Sequence, residues 1–228
     1  MPLTFSTLAL TIAFQACATP DCAEAEPWPA PMRTAEEASL SSPHLPDARI
    51  DLPEAAVYAG GRRWALYDAV DAEMHLFVEA GEDRIVDRLY WIQFEAYLPT
   101  LPEAGYDFHR SSLEQRELGD ALFYVRPRFG IGAADVPEPG SDNEMMRLVL
   151  AEAGYTLPAE TINATMKHVL DPADPREELM IIYIEDLAAA GASVAGIVEA
   201  GLDSPFWAEL SVGVLDRAQA RVAVRNRD

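Results

Sequence analysis

Asp71, Glu73 and His75 take alternate places in "VDAEMHLFVEAG", residues 70–81, with Val70, Ala72, Met74, Leu76 and Val78 alternating with them. Strict alternation marks a β-strand with one buried face, and residues two apart then lie about 6.5–7 Å from each other on the same side. Two carboxylates and an imidazole at that spacing can share protons, with one carboxyl raised and the histidine held charged. The same groups could hold a divalent cation, because His with Asp or Glu is ordinary ligand chemistry.

A second strand extends the set. "RRWALYDAVDAEMHLFVEA" and "DRIVDRLYWIQFEAYLP" are both rich in β-branched and aromatic residues, and "AGEDR" supplies turn chemistry between them. The pattern predicts a hairpin with strands over 63–79 and 85–98. Pairing Glu79 with Ile85 gathers nearly all the aliphatic residues on one face, as burial demands. The other face then carries Tyr67, Asp71, Glu73, His75, Trp91, Gln93, Glu95 and Tyr97. In this register Asp71 faces Gln93, Glu73 faces Trp91 and His75 faces Leu89. Tyr67, Trp91 and Tyr97 would give an apolar floor with polar edges, as ligand pockets often have. The plainer reading is a solvated face on which charged and aromatic cross-strand pairs stabilise the hairpin.

The remaining motifs carry less. "FGIGAADV" lacks the third glycine and the following helix of a dinucleotide fingerprint, so it reads as a loop. "GASVAG" is too long for a nucleophile elbow, and Ser193 reads as a helix cap. Asn163-Ala164-Thr165 fits a glycosylation sequon but falls in a segment read as helix. His168, beside Lys167, suits a helix C-terminus. His109 lies in a loop and His44 in a linker.

The elements that must position the cluster follow along the chain. "SSLEQREL" and "ALFYVRPRF" predict a second hairpin around Gly119-Asp120, ended by Pro127. Ser141 and Glu144 have capping-box spacing and open a helix over about 142–153. Pro158 opens a second helix with Ile162, Met166 and Val169 on one face. "ELMIIYIEDL" reads as a buried strand over 178–184, and helices follow near 193–200 and 205–220. The expected fold class is α+β: a mostly antiparallel sheet of four or five strands, beginning as a β-meander, with about four helices on one face.

Composition bounds the rest. The 228 residues carry 38 acids against 17 lysines and arginines, a net charge of −21, and Lys167 is the only lysine. Such a surface repels phosphate backbones and anionic lipid heads, which argues against nucleic acid as a partner. Residues 3–18, "LTFSTLALTIAFQACA", have the length of a secretory h-region, with small-x-small patterns at Ala16-Cys17-Ala18 and Ala23-Glu24-Ala25 but no preceding cation. Residues 1–18 are therefore read as a signal peptide, 19–54 as a proline-rich linker, and 55–228 as a single α+β domain. On that layout the protein is exported, periplasmic or extracellular, with no membrane span after processing. It would be cytoplasmic if 1–18 is not a signal. Cys17 and Cys22 are the only cysteines, so a bridge between them closes only a local loop, and Cys17 is a weak lipidation position.

The leading functional expectation is a module that binds a small ligand or peptide on the acidic, aromatic face of Tyr67, Glu73, His75, Trp91, Gln93, Glu95 and Tyr97. No cofactor is implied. A second reading is an acid/base or metal-assisted hydrolase or lyase using the Asp71, Glu73, His75 and Glu95 cluster, with Asp71, Glu73 and His75 as the candidate metal ligands. A third is a structural or assembly protein of the cell envelope.

Overall fold

The computed structural model describes residues 29–107, 113–171 and 173–226. Residues 1–18, both cysteines and His109 lie outside them. The chain is α+β, and the described residues form eleven strands in two mostly antiparallel sheets and three helices. In chain order the elements are β1 (Thr34–Glu36), β2 (Ser39–Pro43), β3 (Asp47–Asp51), β4 (Val57–Leu66), β5 (Val70–Ala80), β6 (Val86–Tyr97), β7 (Glu114–Leu118), β8 (Ala121–Ile131), α1 (Asp142–Glu152), β9 (Glu160–Val169), β10 (Glu177–Asp186), α2 (Val194–Ala200), α3 (Pro205–Arg221) and β11 (Ala223–Asn226). A 3-10 turn, Ala188–Ala190, precedes α2. The large sheet has seven strands in the order β4-β5-β6-β10-β9-β8-β7, and the small one four, β1-β2-β3-β11. Both exceed or add to the four or five strands expected.

The expected single strand over 63–79 is two strands. Tyr67 and Asp68 both have positive φ, 52° and 54°, and form the two-residue turn that suits the twist of a hairpin. The expected register between β5 and β6 is also off, by three. Glu73 pairs with Phe94, His75 with Ile92 and Asp71 with Ala96. The cause lies at the turn. Arg84 has φ 62°, Ile85 bridges to Thr156, and Val86 donates to the Thr156 carbonyl, so the pairing shifts by a bulge between Glu79 and Ala80. An odd shift exchanges the two faces of one strand relative to the other.

Both faces of the sheet are covered, so alternation could not choose between them. On one face Phe77, Tyr90, Ile92, Leu179 and Ile181 pack with Leu40 and Ile50 of the small sheet and with Val214, Leu215 and Ala218 of α3. On the other, Met74, Leu76, Leu89 and Trp91 pack with Met146, Val149 and Leu150 of α1. The helices thus lie on two faces, not one.

Three further expectations change. The segment read as linker supplies β1–β3, because Leu40, Ala48 and Ile50 sit at strand spacing and are fully buried despite the prolines around them. The helix expected after Pro158 is β9. Ile162, Ala164 and Met166 face one core at period two, and the Thr161-Ile162 and Thr165 positions favour a strand. Pro127 does not end β8. Pairing with β7 stops at Val125, and beyond it a residue without an N–H is tolerated on that open edge.

The caps at Ser141 and Ser193 fall where expected, and Ser204 caps α3 in the same way. Ser141, Ser193 and Ser204 accept from Glu144, Gly196 and Trp207 amides. The Glu144 side chain reaches the Gly140 amide at 2.7 Å, one residue short of a full capping box.

Candidate functional site

The expected single site is three arrangements on two faces. On the face under the small sheet, Glu73 and His75 are buried at 2% and 1% exposure. The His75 Nε2 lies 2.9 Å from Glu73 Oε1, and the Tyr58 hydroxyl lies 3.0 Å from His75 Nδ1. With a neutral imidazole protonated on Nε2, the hydroxyl donates to Nδ1 and Nε2 donates to the carboxylate. Arg33 closes the network. Its amide donates to Oε1 at 2.9 Å and its Nη1 to Oε2 at 3.0 Å, while its guanidinium lies 3.6 Å above the Phe94 ring. Gly61 stands opposite His75, and a Cβ there would sit 2.7 Å from the Tyr58 hydroxyl. The missing side chain is what lets Tyr58 reach the imidazole.

Burial alone would push the Glu73 carboxyl up. The His75 hydrogen bond, the Met32 and Arg33 amides and the Arg33 charge outweigh it and hold the carboxyl down at about 2. Burial, then the Glu73 charge, pushes Tyr58 up to about 12. A phenol so disfavoured as its anion is a poor nucleophile, and the array acts as a tie between the two sheets. Asp71 pairs with Arg63, whose Nε donates at 2.8 Å. The adjoining cavity is only about 120 Å³, far below the size of usual ligand pockets.

On the opposite face the residues of β6 form a chain. Trp91 Nε1 donates to Gln93 Oε1 at 2.7 Å, Gln93 Nε2 to Glu95 Oε1 at 2.6 Å, and the Tyr106 hydroxyl to Glu95 Oε2 at 2.9 Å. Tyr97 stacks on Tyr106, with ring centroids 4.8 Å apart. Tyr67 is in the exposed turn and belongs to neither set. Glu95 is the cross-strand partner of Glu178, which is fully buried. Lys167 Nζ donates to Glu178 Oε1 at 2.8 Å, but Glu178 Oε2 meets no hydrogen-bond partner among the described residues. Burial, opposed by the Lys167 charge and reinforced by the Glu95 charge, raises Glu178 to about 7. Glu95 already accepts on both oxygens. A proton on Glu178, directed at Glu95, satisfies the remaining atom.

The third arrangement is an open groove of about 410 Å³ on this same face, beside α1. Sequence reasoning missed most of it, because β9 was expected to be a helix. Of the β9 side chains on this side, Thr161, Asn163, Thr165 and Lys167 line the groove, and Val169 lies beyond its end. Their neighbours on β10 are Met180, Ile182 and Ile184; on β8 they are Arg126 and Arg128, opposite Thr165 and Asn163. Trp91 lies across from Ile182 at the floor. Asp142 at the start of α1 also lines it, and burial raises that carboxyl. The alternation of Asn163, Thr165 and Lys167 with Ile162, Ala164 and Met166 was the signal that could have found the site. Of the ligand-binding residues expected from sequence, the groove includes Trp91 alone.

Among the described residues no three His, Cys, Asp or Glu side chains converge so as to hold a metal ion, and no helix is long and apolar enough to cross a membrane. The fold and groove define an α+β protein with a half-covered sheet face. No protein-family model matches the sequence, and no curated protein or solved structure matches it either.

Proposed function

We propose that the protein is a binding module for a small ligand, held in the groove over β9 and β10. One observation supports this above the others. β9 is an interior strand of a seven-stranded sheet, paired on both sides, yet the four side chains it turns to the groove, Thr161, Asn163, Thr165 and Lys167, are all polar. Beneath α1 the same face of β5 and β6 is apolar, and the change to polar side chains at β9 coincides with the groove. The volume of the groove falls in the range of small-molecule sites, and its mixture of Trp91, Met180 and Ile182 with a few hydrogen-bonding groups is typical of them.

The reading replaces a continuous acidic and aromatic face with a groove of different residues. Export is a separate proposal that rests on residues 1–18, and amino-terminal sequencing of the mature protein tests it. The binding reading is tested by nuclear magnetic resonance with a fragment library. Hits should perturb the amides of Asn163, Thr165 and Lys167, and Thr165→Trp, which fills the groove, should abolish them. Hits that bind Thr165→Trp unchanged would place the site elsewhere.

A further inference from the structure

The large-sheet face that carries the groove is graded across its strands. Along one row the residues run Arg126 on β8, Thr165 on β9, Ile182 on β10 and Trp91 on β6. The next row runs Arg128, Asn163, Ile184 and Leu89. Charge gives way to hydrogen-bonding groups and then to apolar surface over three strand spacings, about 14 Å.

The cations at the β8 end are not engaged in holding the fold. Neither the Arg126 nor the Arg128 guanidinium makes a hydrogen bond or ion pair with a described residue, and both border the adjoining hollow by Trp207. Arg128 also lines the groove, with Arg126 next to it on the same face of β8, and the other charges lining the groove are balanced. Lys167 is bound to Glu178, and Arg147 holds the Gly132 carbonyl and lies 3.9 Å from Asp135. Asp142 is the remaining acid, at the α1 side of the groove, where burial raises its carboxyl and the Lys167 charge opposes that rise. Two adjacent, unpaired arginines are conspicuous in a chain of net charge −21. Guanidinium forks match carboxylates and phosphates in geometry as well as charge.

We infer that the groove binds an amphiphilic anion as a single molecule, its charged head at Arg126 and Arg128 and its apolar tail along Ile182 toward Trp91. The inference rests on the groove being the binding site and adds the class of ligand. Thr165 and Asn163, between head and tail, accept or donate to polar groups near the head. The apolar end discriminates by length, each buried methylene tightening binding about fourfold.

Calorimetry with octanoate, hexanoate, 1-octanol, octylammonium and inorganic phosphate tests it on the full chain. Octanoate should bind about fifteenfold more tightly than hexanoate. The double variant Arg126→Gln/Arg128→Gln should weaken octanoate about ten- to a hundredfold. It should leave 1-octanol unchanged, and melting temperature reports that the fold is kept. Octylammonium should bind more weakly than either. If 1-octanol equals octanoate, or the double variant binds octanoate normally, the anionic head is wrong while the groove reading stands. If phosphate binds as tightly as octanoate, the tail is wrong. If octanoate fails to bind at millimolar concentration, or binds Thr165→Trp as well as the parent, the inference falls, and in the second case the groove reading falls with it.

Discussion

Arg33 and Glu73 are joined twice, backbone amide to Oε1 and guanidinium to Oε2, across forty positions of the chain. The two side chains are 5% and 2% exposed. Arg33 also donates to Ser42 Oγ and to the His44 and Leu45 carbonyls, so one guanidinium fastens the start of the small sheet onto the face of the large one. Removing it would leave a buried carboxylate without its cation. Arg33→Ala should therefore cost about 3–5 kcal/mol in urea unfolding. Glu73 also sets an acid limit. Its carboxyl is held at about 2 against an ordinary value of 4.5, so its contribution is present above 4.5 and is lost as pH falls toward 2. Glu73→Gln should remove that acid slope, and Arg33→Ala should shift the slope to higher pH.

Tyr58 meets His75 only because residue 61 has no side chain. Gly61→Ala would place a methyl 2.9 Å from His75 Nδ1 and 2.9 Å from the Met74 carbonyl, as well as against the phenol. The backbone oxygen cannot swing away as a side chain can. The substitution should cost about 1–3 kcal/mol. Tyr58→Phe should cost about 1 kcal/mol, the net worth of one hydrogen bond. The double variant should cost less than the sum, because Phe leaves no hydroxyl to displace. Additive losses would mean that Gly61 serves only the Met74 carbonyl.

What was legible in the sequence follows from how many faces each strand buries. β7 and β8, with one covered face over much of their length, show their hairpin plainly around Gly119. The caps at Ser141, Ser193 and Ser204 are local chemistry and were readable as such. β5 and β6 are buried almost continuously, from Ala72 to Val78 and from Leu89 to Glu95. For such strands alternation of polarity does not report register, and a bulge near Ala80 decided which side Trp91, Gln93 and Glu95 occupy. His75 beside two acids looked like a site facing a groove. It is instead a buried link whose partners lie outside the predicted hairpin, Arg33 in a proline-rich stretch with the composition of a linker and Tyr58 ahead of the first predicted strand. The groove residues were missed because Ile162, Met166 and Val169 fit helical spacing, while Ala164, small but fully buried, carried the period-two signal.

Leu40 and Ile50 are fully buried and face each other across β2 and β3. They belong to the same apolar cluster as Phe77, Tyr90 and Ile181 of the large sheet. The two sheets should then unfold together. Leu40→Ala or Ile50→Ala should each destabilise the protein by about 2–5 kcal/mol. Circular dichroism and tryptophan fluorescence should lose signal in one coincident transition. A small sheet that melts first, with the large sheet's transition unmoved, would contradict a shared core.

Glu178 works in the opposite sense to Glu73. Its carboxyl is raised from 4.5 to about 7, first by burial and then by the Glu95 charge across the strand pair, against the opposing pull of Lys167. The folded protein keeps a proton that the unfolded chain gives up above 4.5. Stability from this group is therefore complete below 4.5 and declines as pH rises through about 7. Tyr106, which donates to Glu95 from the covering loop, keeps its own proton throughout, since burial and the neighbouring carboxylates push it upward. Urea unfolding at mildly acidic and mildly alkaline pH measures the decline. Glu178→Gln keeps a donor toward Glu95 without a titrating proton, so it should flatten the profile over this range. Glu95→Gln removes the charge that opposes ionisation, and it should reduce the decline by letting Glu178 ionise beside Lys167 at lower pH. An unchanged slope in both variants would assign the pH dependence to other groups and separate the carboxyl pair from it.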